Sequence, residues 1–419
     1  MRTIATCSLF ALVHGVFPQT WEVFDMDNAG FPSNTITDIA IDSQDHVWAA
    51  TDWGLCHYDG STWSVFQTAN SGLPDNEIYA VAVDSLDRVW IGTELHGLII
   101  YDGSTWEEYN TLNSPLPDNE IKSIVIDHRG WAWIGTYLGL VCWTGPEWRL
   151  YNDTPSSYGG LELNGNVIND VAVRQDGLVA VATLNYGFHY LTDTSVVVHS
   201  PFIDLFPDNT QTGVAMDTVH DERWIATPTQ GLLRQGGTWD SGPWFYYLTS
   251  NSTIVSNALT CVEMDTLGRP WIGSTGSGIM VREDGGNFVN FHSGNSGLPD
   301  NTIMDLEFAH NGDLWIGTYY GGLARFGQGG NGIAPTTMGS TLQVFPNPCT
   351  DRTRVLVPEH LRAEAVQWEL NDPSGRLLAR GRMPRHEVWD LDLAGFEAGT
   401  YLLRVSTSSG TAVTHIVHQ

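Results

Sequence analysis

The chain has 419 residues, of which 42% are hydrophobic and 16% are charged. A chain of this length and apolar content buries a substantial core, which excludes disorder over most of it. The formal net charge of −29 excludes a basic face of the kind that binds nucleic acid or anionic lipid. The 44 glycines and 17 tryptophans favour short strands joined by tight turns.

The first 15 residues are typical of a secretory signal peptide. Arg2 supplies positive charge, residues 4–13 form an apolar stretch too short to span a bilayer, and Gly15 offers a small residue for cleavage. The alternative is a buried first strand, because a short apolar run fits both. No later run reaches the ~18 apolar residues of a transmembrane helix. We therefore expect an exported protein without a transmembrane segment.

A tryptophan-containing pentapeptide, such as VWIGT, recurs along the middle of the chain. Its tryptophans are Trp48, Trp90, Trp133, Trp224, Trp271 and Trp315, and a seventh copy, VAVAT, has Ala180 in that place. An asparagine precedes each copy, at Asn34, Asn76, Asn119, Asn166, Asn209, Asn257 and Asn301. The asparagines are spaced by 42, 43, 47, 43, 48 and 44 residues. Periods of this length are typical of repeat architectures.

Each repeat contains four short strand patterns separated by turn residues. After Asn76 these are EIYAVAVD (strand A), VWIGT (strand B), LIIYD (strand C) and WEEYN (strand D). Period-2 alternation with a turn every 8–12 residues leaves no room for helices. Four strands per ~43 residues are typical of a propeller blade. The sequence therefore predicts an all-β, seven-bladed β-propeller over residues 20–327.

The strand count also predicts how the ring closes. Residues 21–24 (WEVF) form a D strand that precedes the first A strand, whereas the seventh C strand, GLARFG, has no D strand after it. We expect the N-terminal strand to pair with the last C strand, since shared strands remove exposed sheet edges.

The recurring residues have structural explanations. The strand B tryptophans are expected to pack between neighbouring blades. The repeated asparagines are expected to cap their own turns, because Asn tolerates left-handed backbone and bonds locally. Three cysteines in different blades, Cys56, Cys142 and Cys261, are too far apart for disulfides and are expected to be buried thiols.

The turns between strands A and B in the first two repeats are acidic. Their aspartates are Asp42, Asp45, Asp84 and Asp87. The D-x-x-D spacing lacks the dense oxygen ligation of a calcium loop. We therefore predict solvated turns rather than calcium sites.

A linker and a second domain follow the propeller. Residues 328–341 are rich in Gly, Ser and Thr and hold almost nothing that a core could bury. Residues 342–419 hold 8 Arg and 9 acidic residues, so the excess negative charge of the chain lies in the propeller. Such asymmetry indicates two domains with different tasks.

The repeat resembles a known family. The pattern V-D-x-x-x-x-V-W-I-G-T-x-x-G-L-x-x-Y-D-G, at residues 83–103, is similar to the two-component regulator propeller repeat. Five copies are close, and blades four and five depart from the pattern. In the best-known members, tandem propellers are the sensor half of membrane histidine kinases that detect glycan fragments. Because this chain has one ring and no kinase motifs, the resemblance implies a binding propeller rather than a signalling receptor.

The C-terminal domain resembles a type IX (Por) secretion system sorting domain, type A. The matching segments are VFPNPCTD at 344–351, LNDPSGRLL at 370–378 and LDLAGFEAGTYLLRVSTSSG at 391–410. The resemblance implies a small β-sandwich that takes its cargo across the outer membrane and is often removed on anchoring. It implies the type IX machinery as a partner and a secreted or outer-membrane surface location. The alternative is a generic adhesive sandwich.

A ligand is expected at the B–C loops, which emerge on one face with the D–A loops. The candidate binding residues are Trp53, His96, Tyr137, Tyr186, Tyr319 and Tyr320. Aromatic faces with polar tips suit sugar rings, and Asp52, Glu94 and Gln230 offer acceptors for hydroxyl groups. The sequence therefore predicts a recognition module for glycans.

Two other functions remain open at this point. A propeller-based polysaccharide lyase or hydrolase would need an acid–base pair, for which His96 with Glu94 comes nearest. An adhesion scaffold would bind proteins through the flat faces. The 14 histidines show no HExxH or H-x-H spacing and the cysteines no CxxC. We therefore expect a monomer without catalytic residues, metal or cofactor.

Overall fold

The computed structural model describes residues 20–327 except 155–156, 164, 193–194, 201–205, 239–241 and 284. In the C-terminal part it describes residues 343–345, 352–356, 366–371, 377–383, 388–396, 399–407 and 410–418. The signal peptide predicted at residues 1–15 and the linker predicted at 328–341 lie outside the described residues. The chain divides into two compact units, of which one is Pro18–Gln328 and the other holds Gly329–Gln419.

Seven four-stranded antiparallel sheets form the larger unit, which confirms the predicted seven-bladed propeller. The A strands are β2 Ile36–Ile41, β6 Ile78–Val83, β10 Ile121–Ile126, β14 Ile168–Val173, β18 Gly213–Asp217, β22 Leu259–Met264 and β26 Ile303–Phe308. The B strands are β3 Val47–Thr51, β7 Val89–Thr93, β11 Ala132–Thr136, β15 Val179–Thr183, β19 Glu222–Ala226, β23 Pro270–Ser274 and β27 Leu314–Thr318.

The C and D strands complete each blade outward from the axis. The C strands are β4 Gly54–Tyr58, β8 Leu98–Tyr101, β12 Gly139–Trp143, β16 Phe188–Leu191, β20 Leu232–Gln235, β24 Ile279–Arg282 and β28 Leu323–Gly327. The D strands of blades 1 to 6 are β5 Trp63–Phe66, β9 Trp106–Tyr109, β13 Trp148–Tyr151, β17 Val196–His199, β21 Trp244–Tyr247 and β25 Phe288–Phe291. A 3-10 turn at Tyr158–Gly160 lies between blades 3 and 4.

The ring closes as predicted. The A strands contact one another in sequence, and β26 contacts β2. The N-terminal strand β1, Thr20–Phe24, pairs antiparallel with β28 from Thr20↔Gly327 to Phe24↔Leu323. Trp21 also packs on Phe326, with ring centroids 4.7 Å apart. The last blade thus takes its D strand from the other end of the propeller chain, which leaves its C strand without an open edge.

The recurring pentapeptide is explained by burial on both sides of strand B. In blade 2 all five residues of β7 are buried. Trp90 packs with side chains of blade 3 such as Ile121 and Trp143, which confirms the expected packing between blades. Gly92 has no side chain because a Cβ there would lie 2.6 Å from Cγ2 of Ile121. Tryptophan fills the space between two sheets, and glycine lets the next A strand approach.

The repeated asparagines bond farther away than predicted. The Oδ1 of Asn76 accepts a hydrogen bond from the backbone N–H of Thr68, eight residues earlier, at 2.9 Å. The same bond at 2.9 Å joins Asn34 to Met26. None of the seven asparagines has a positive φ. Bonds of the same kind join Asn119, Asn166, Asn257 and Asn301 to the start of their D–A loops. The expectation of a local cap in left-handed backbone is therefore wrong.

The C-terminal unit contains two antiparallel sheets. One has the order β29 Gln343–Phe345, β30 Arg352–Leu356, β33 Val388–Asp392. The other has the order β32 Leu377–Met383, β31 Val366–Asn371, β34 Gly399–Thr407, β35 Gly410–His418. Buried side chains of both sheets, among them Val355, Leu370 and Leu403, form one apolar cluster.

Two further expectations concern membranes and cysteines. Within the described residues, no helix has the length and apolar content to cross a membrane.

Cys56, Cys142 and Cys261 are free. The first two are buried, whereas Cys261 lies on an A strand and is partly accessible.

Candidate functional site

The B–C loops are held by a hydroxyl group at the end of each B strand. In blade 2, Thr93 Oγ1 donates to the carbonyl oxygen of Gly97 at 2.9 Å and accepts the N–H of His96 at 3.0 Å. The same bond to a glycine carbonyl occurs in the other six blades. Gly97 has φ +80°, and a Cβ on it would lie 2.3 Å from the carbonyl oxygen of Tyr109. Threonine and glycine thus fix the loop, while the residues between them are free to vary.

The structure leaves the predicted binding residues of these loops exposed. The exposed fractions are 59% for Trp53, 47% for Tyr137, 49% for Tyr186, 39% for Tyr319 and 71% for Tyr320, and 43% for the side chain of His96. Because antiparallel strands alternate in direction, all B–C and D–A loops lie on one face of the ring. We call this the B–C face. Large exposed apolar side chains gathered on one face are typical of interaction sites.

Three of these aromatic residues have a defined local environment. The rings of Tyr319 and Tyr320 are nearly perpendicular, with centroids 4.4 Å apart. The carbonyl oxygen of Tyr319 accepts a hydrogen bond from Thr35 of blade 1 at 2.9 Å. The ring of Tyr186 lies against Gly165, where an added Cβ would be 2.2 Å from its Cγ. Each of the three rings thus contacts another group of the protein while part of it stays exposed.

Aspartates of the D–A loops hold the B–C loops from the side. They belong to the repeated Pro-Asp-Asn motif, whose chemistry the sequence analysis did not assign. Their bonds are Leu95 N–H to Asp75 (3.2 Å), Thr229 Oγ1 to Asp208 (2.7 Å) and Tyr320 N–H to Asp300 (2.9 Å). The motif therefore orients the loops that carry the candidate site.

A polar cluster lies where blades 2 and 3 meet the B–C face. His96 Nδ1 is 3.3 Å from Asp75 Oδ2. Burial, followed by the neighbouring Glu94, raises the pKa of Glu77, and the hydroxyl of Tyr79 donates to Glu77 at 3.1 Å. His96 and Glu94, which the sequence suggested as a pair, thus have separate partners.

The A strands line a central channel of about 540 Å³. At the B–C face its lining includes Tyr79 and Lys122, and Lys122 Nζ lies 5.6 Å from the ring centroid of Tyr79. Lys122 is also 3.2 Å from Glu120. Deeper in the channel the lining includes the carboxylates of Asp38, Asp170, Glu263, Asp305 and Glu307.

Three channel aspartates join neighbouring blades through backbone amides. Each lies four residues after the repeated asparagine, where the seven repeats read Asp, Ala, Ser, Asp, Gly, Cys and Asp. Their bonds are Val81 N–H to Asp38 (2.7 Å), Val214 N–H to Asp170 (2.8 Å) and Ile39 N–H to Asp305 (2.9 Å). Each of these bonds crosses from one blade to the next. A position-by-position comparison of the repeats could have identified these residues.

The channel shifts the titration of its acids. Burial raises the pKa of Asp170 to about 7 and of Glu263 to about 8. Burial and the nearby Asp305 raise the pKa of Asp38, and burial and Glu263 raise that of Glu307. Burial surrounds these side chains with protein, which disfavours the charged form. The channel therefore raises the pKa of these carboxyl groups toward or above neutral pH.

The acidic A–B turns differ from the prediction. Asp42 and Asp84 are buried, with 6% and 8% exposed, so the expectation of solvated turns is wrong for these two. Asp84 accepts the N–H groups of Leu86 and Arg88 at 2.9 and 3.0 Å. The carboxylate thus caps the amides of its own turn while it lies buried.

Two known protein families match parts of the chain. Residues 30–53, 72–94, 115–138 and 297–320 match the family described as "Two component regulator propeller". Residues 343–419 match the "Secretion system C-terminal sorting domain". The chain therefore contains two-component regulator propeller repeats and a type IX secretion sorting domain. The matched repeats belong to blades 1, 2, 3 and 7, and the sorting domain directs the protein to the cell surface or beyond it.

Solved structures share the fold. PorZ, a surface component of the type IX secretion system of Porphyromonas gingivalis, is 18% identical with a TM-score of 0.58 over 93% of this chain and 60% of PorZ. The extracellular domain of BT3049 from B. thetaiotaomicron, described as a hybrid two component system, is 16% identical with a TM-score of 0.63 over 96% of this chain and 58% of that one. This chain thus spans about three fifths of either.

An enzyme also shares the propeller. Virginiamycin B lyase from Staphylococcus aureus is 11% identical with a TM-score of 0.58, over 74% of this chain and 99% of the lyase. At such identities the similarity concerns the fold alone. A search of curated proteins gives no match.

Proposed function

We propose that this protein is a recognition module that the type IX system delivers to the cell surface, where its B–C face binds glycans. The proposal rests on the exposure of the six residues predicted from the sequence. Their loops are held by buried threonine or serine hydroxyls. Aromatic rings on loops that are already fixed lose little conformational entropy when a ligand binds. Their apolar faces suit the C–H faces of sugar rings.

Polar groups of the same face supply the hydrogen bonds that such a ligand needs. Asp75, Glu77 and Glu94 offer carboxylate oxygens near the channel mouth, and Lys122 offers a donor beside them. Sugar hydroxyls donate and accept at once, so a site with both kinds of group recognises them. The acidic surroundings favour neutral or cationic glycans over sulfated or uronic ones.

A glycan array with the purified chain tests the proposal. We expect binding to neutral glycans that weakens at least tenfold in Trp53→Ala and Tyr320→Ala, because each removes a stacking surface. Leu86→Ala and Leu267→Ala are matched controls. They remove exposed apolar side chains, 74% and 62% exposed, from A–B turns on the opposite face. Absence of glycan binding, or equal loss in the controls, would reject the proposal.

Catalysis is tested in the same preparation. The separate partners of His96 and Glu94 favour binding over an acid–base pair. We expect no release of unsaturated or reducing sugar ends from any bound glycan. Release that stops in His96→Ala would establish the lyase or hydrolase alternative instead.

A further inference from the structure

The buried aspartate of the A–B turn has a recurrent set of partners in three blades. In blade 2, Asp84 Oδ2 accepts from Arg88 Nε at 2.8 Å and from the indole N–H of Trp90 at 3.0 Å. Blades 3 and 6 repeat this arrangement with Asp127, Arg129 and Trp133 and with Asp265, Arg269 and Trp271. A guanidinium group thus balances each buried carboxylate.

In blade 1 a histidine takes the place of the arginine of blades 2 and 6, and a second histidine, on strand C, lies opposite the strand B tryptophan. His46 follows Asp42 by four residues, as Arg88 follows Asp84. Its Nδ1 lies 3.0 Å from Asp42 Oδ2. His57 lies on β4 directly opposite Trp48, and their rings stack with centroids 4.0 Å apart. One ligand atom from each of Asp42, His46 and His57 lies within 4.8 Å of the other two.

We propose that Asp42, His46 and His57 form a zinc-binding site. Two imidazole nitrogens and one carboxylate oxygen, with a fourth position for water, are a common zinc ligand set. Tetrahedral geometry with bonds of ~2.1 Å separates ligand atoms by ~3.4 Å. The Asp42 and His46 ligand atoms lie 3.0 Å apart, and one ligand atom of His57 lies within 4.8 Å of both residues.

The carboxylate is already oriented for this role. Asp42 Oδ1 accepts the N–H groups of Gln44 and His46 at 2.8 and 2.9 Å. These bonds fix the carboxylate and direct Oδ2 toward the imidazoles, as partners of metal ligands commonly do. The side chain of His46 is 24% exposed, which gives an ion access from solvent. The net charge of −29 favours cation approach.

Blade 5 provides an internal comparison. Asp217 occupies the position of Asp42, and His220 Nδ1 lies 2.6 Å from its Oδ2. On its C strand, Arg234 pairs with Trp224 in the place that His57 takes opposite Trp48. In the described part of the chain, the grouping of two imidazoles with one carboxylate was found in blade 1 alone.

Zinc chloride titration of the full chain against a chromophoric chelator tests the site. We expect one tight zinc per chain, at least tenfold weaker in His57→Gln and His46→Arg. The arginine variant copies blades 2 and 6, where arginine pairs with the equivalent aspartate, so it keeps the fold while removing a ligand. His220→Ala is the matched control and should leave zinc affinity unchanged.

The outcomes separate this site from the glycan proposal, since zinc affinity is read without any glycan. No saturable zinc binding by the wild type would overturn the inference. So would equal affinity in wild type, His57→Gln and His46→Arg, or a comparable loss in His220→Ala. Substituting cobalt(II) gives a second readout, because tetrahedral and octahedral sites absorb differently in the visible range.

Discussion

Blades 2 and 4 form the same four-stranded sheet with different side chains between the blades. In blade 2, Trp90 of strand B lies opposite Ile100 of strand C. In blade 4 the same register places Ala180 opposite Tyr190, and both are completely buried. The large ring has moved from strand B to the adjacent strand. Backbone register and filled volume therefore define a blade, and the tryptophan is one way to fill it.

The buried hydrogen bonds of the two blades also differ. Blade 2 buries the bond from Trp90 to Asp84. Blade 4 buries a bond from the hydroxyl of Tyr190 to Oε1 of Gln235 in blade 5, at 2.6 Å. The first bond stays within one blade, whereas the second joins two. A departure from the repeat pattern has thus gained a specific contact between blades.

The largest expected effect is that of Trp90→Ala. Removing a buried indole leaves a cavity between two sheets and should cost about 3–5 kcal/mol of unfolding free energy. Urea denaturation measures the loss. Trp53→Ala, on the exposed rim, is the control and should change stability by less than about 0.5 kcal/mol. Similar losses for both would contradict the role of Trp90 between the blades.

Restoring the missing tryptophan in blade 4 should destabilise the protein. Ala180→Trp adds a ring to a site that Tyr190 already fills, and overpacking typically costs about 1–3 kcal/mol. The same denaturation experiment tests it. Unchanged or increased stability would show that blade 4 contains unfilled space. The ring of Tyr190 on strand C would then not replace the strand B tryptophan.

The bond between blades 4 and 5 is tested by Tyr190→Phe. The variant keeps the ring and removes the hydroxyl that donates to Gln235, at an expected cost of about 1–3 kcal/mol. Tyr101→Phe is the matched control, since its hydroxyl donates to the carbonyl of Gly103 at the surface. That change should cost less than about 0.5 kcal/mol. Equal effects would mean that the buried hydroxyl adds no stability.

The last prediction concerns pH, because blade 4 has Asp170 where blade 2 has Ala80. The pKa of Asp170 is about 7 when folded, against about 4 in an unfolded chain. The folded protein therefore binds this proton more tightly, and the associated stability is present below about pH 4 and lost as pH rises through about 7. Asp170→Asn should flatten the decline in melting temperature between about pH 5 and about pH 8.

Glu283→Gln, a change at an exposed carboxylate of blade 6, is the control for this experiment. This variant should show the same change of melting temperature with pH as the wild type. A wild-type protein that becomes more stable between about pH 5 and about pH 8 would contradict the raised pKa of the channel acids.

Strand positions were predictable because they depend on neighbouring residues, and ring closure was predictable because it depends on the number of strands. Alternation and turn residues place each strand, and counting D strands assigns Trp21–Phe24 to the last blade. The exposure of Trp53 and Tyr320 also follows from loop position. The partners of Asp38 and the buried state of Asp84 did not follow, because each depends on which amides or side chains converge on a carboxylate.

The sequence alone thus determined the repeat number, the closure and the secretion domain, since these are encoded in local patterns and motifs that recur or stand together in the chain. Only the tertiary structure decided which polar groups meet. Asp305 bonds the amide of Ile39 across 266 residues, and His57 approaches Asp42 only because the register of β3 and β4 sets it opposite Trp48. Contacts between side chains of different strands depend on register and on the approach of distant parts of the chain, which no single repeat contains.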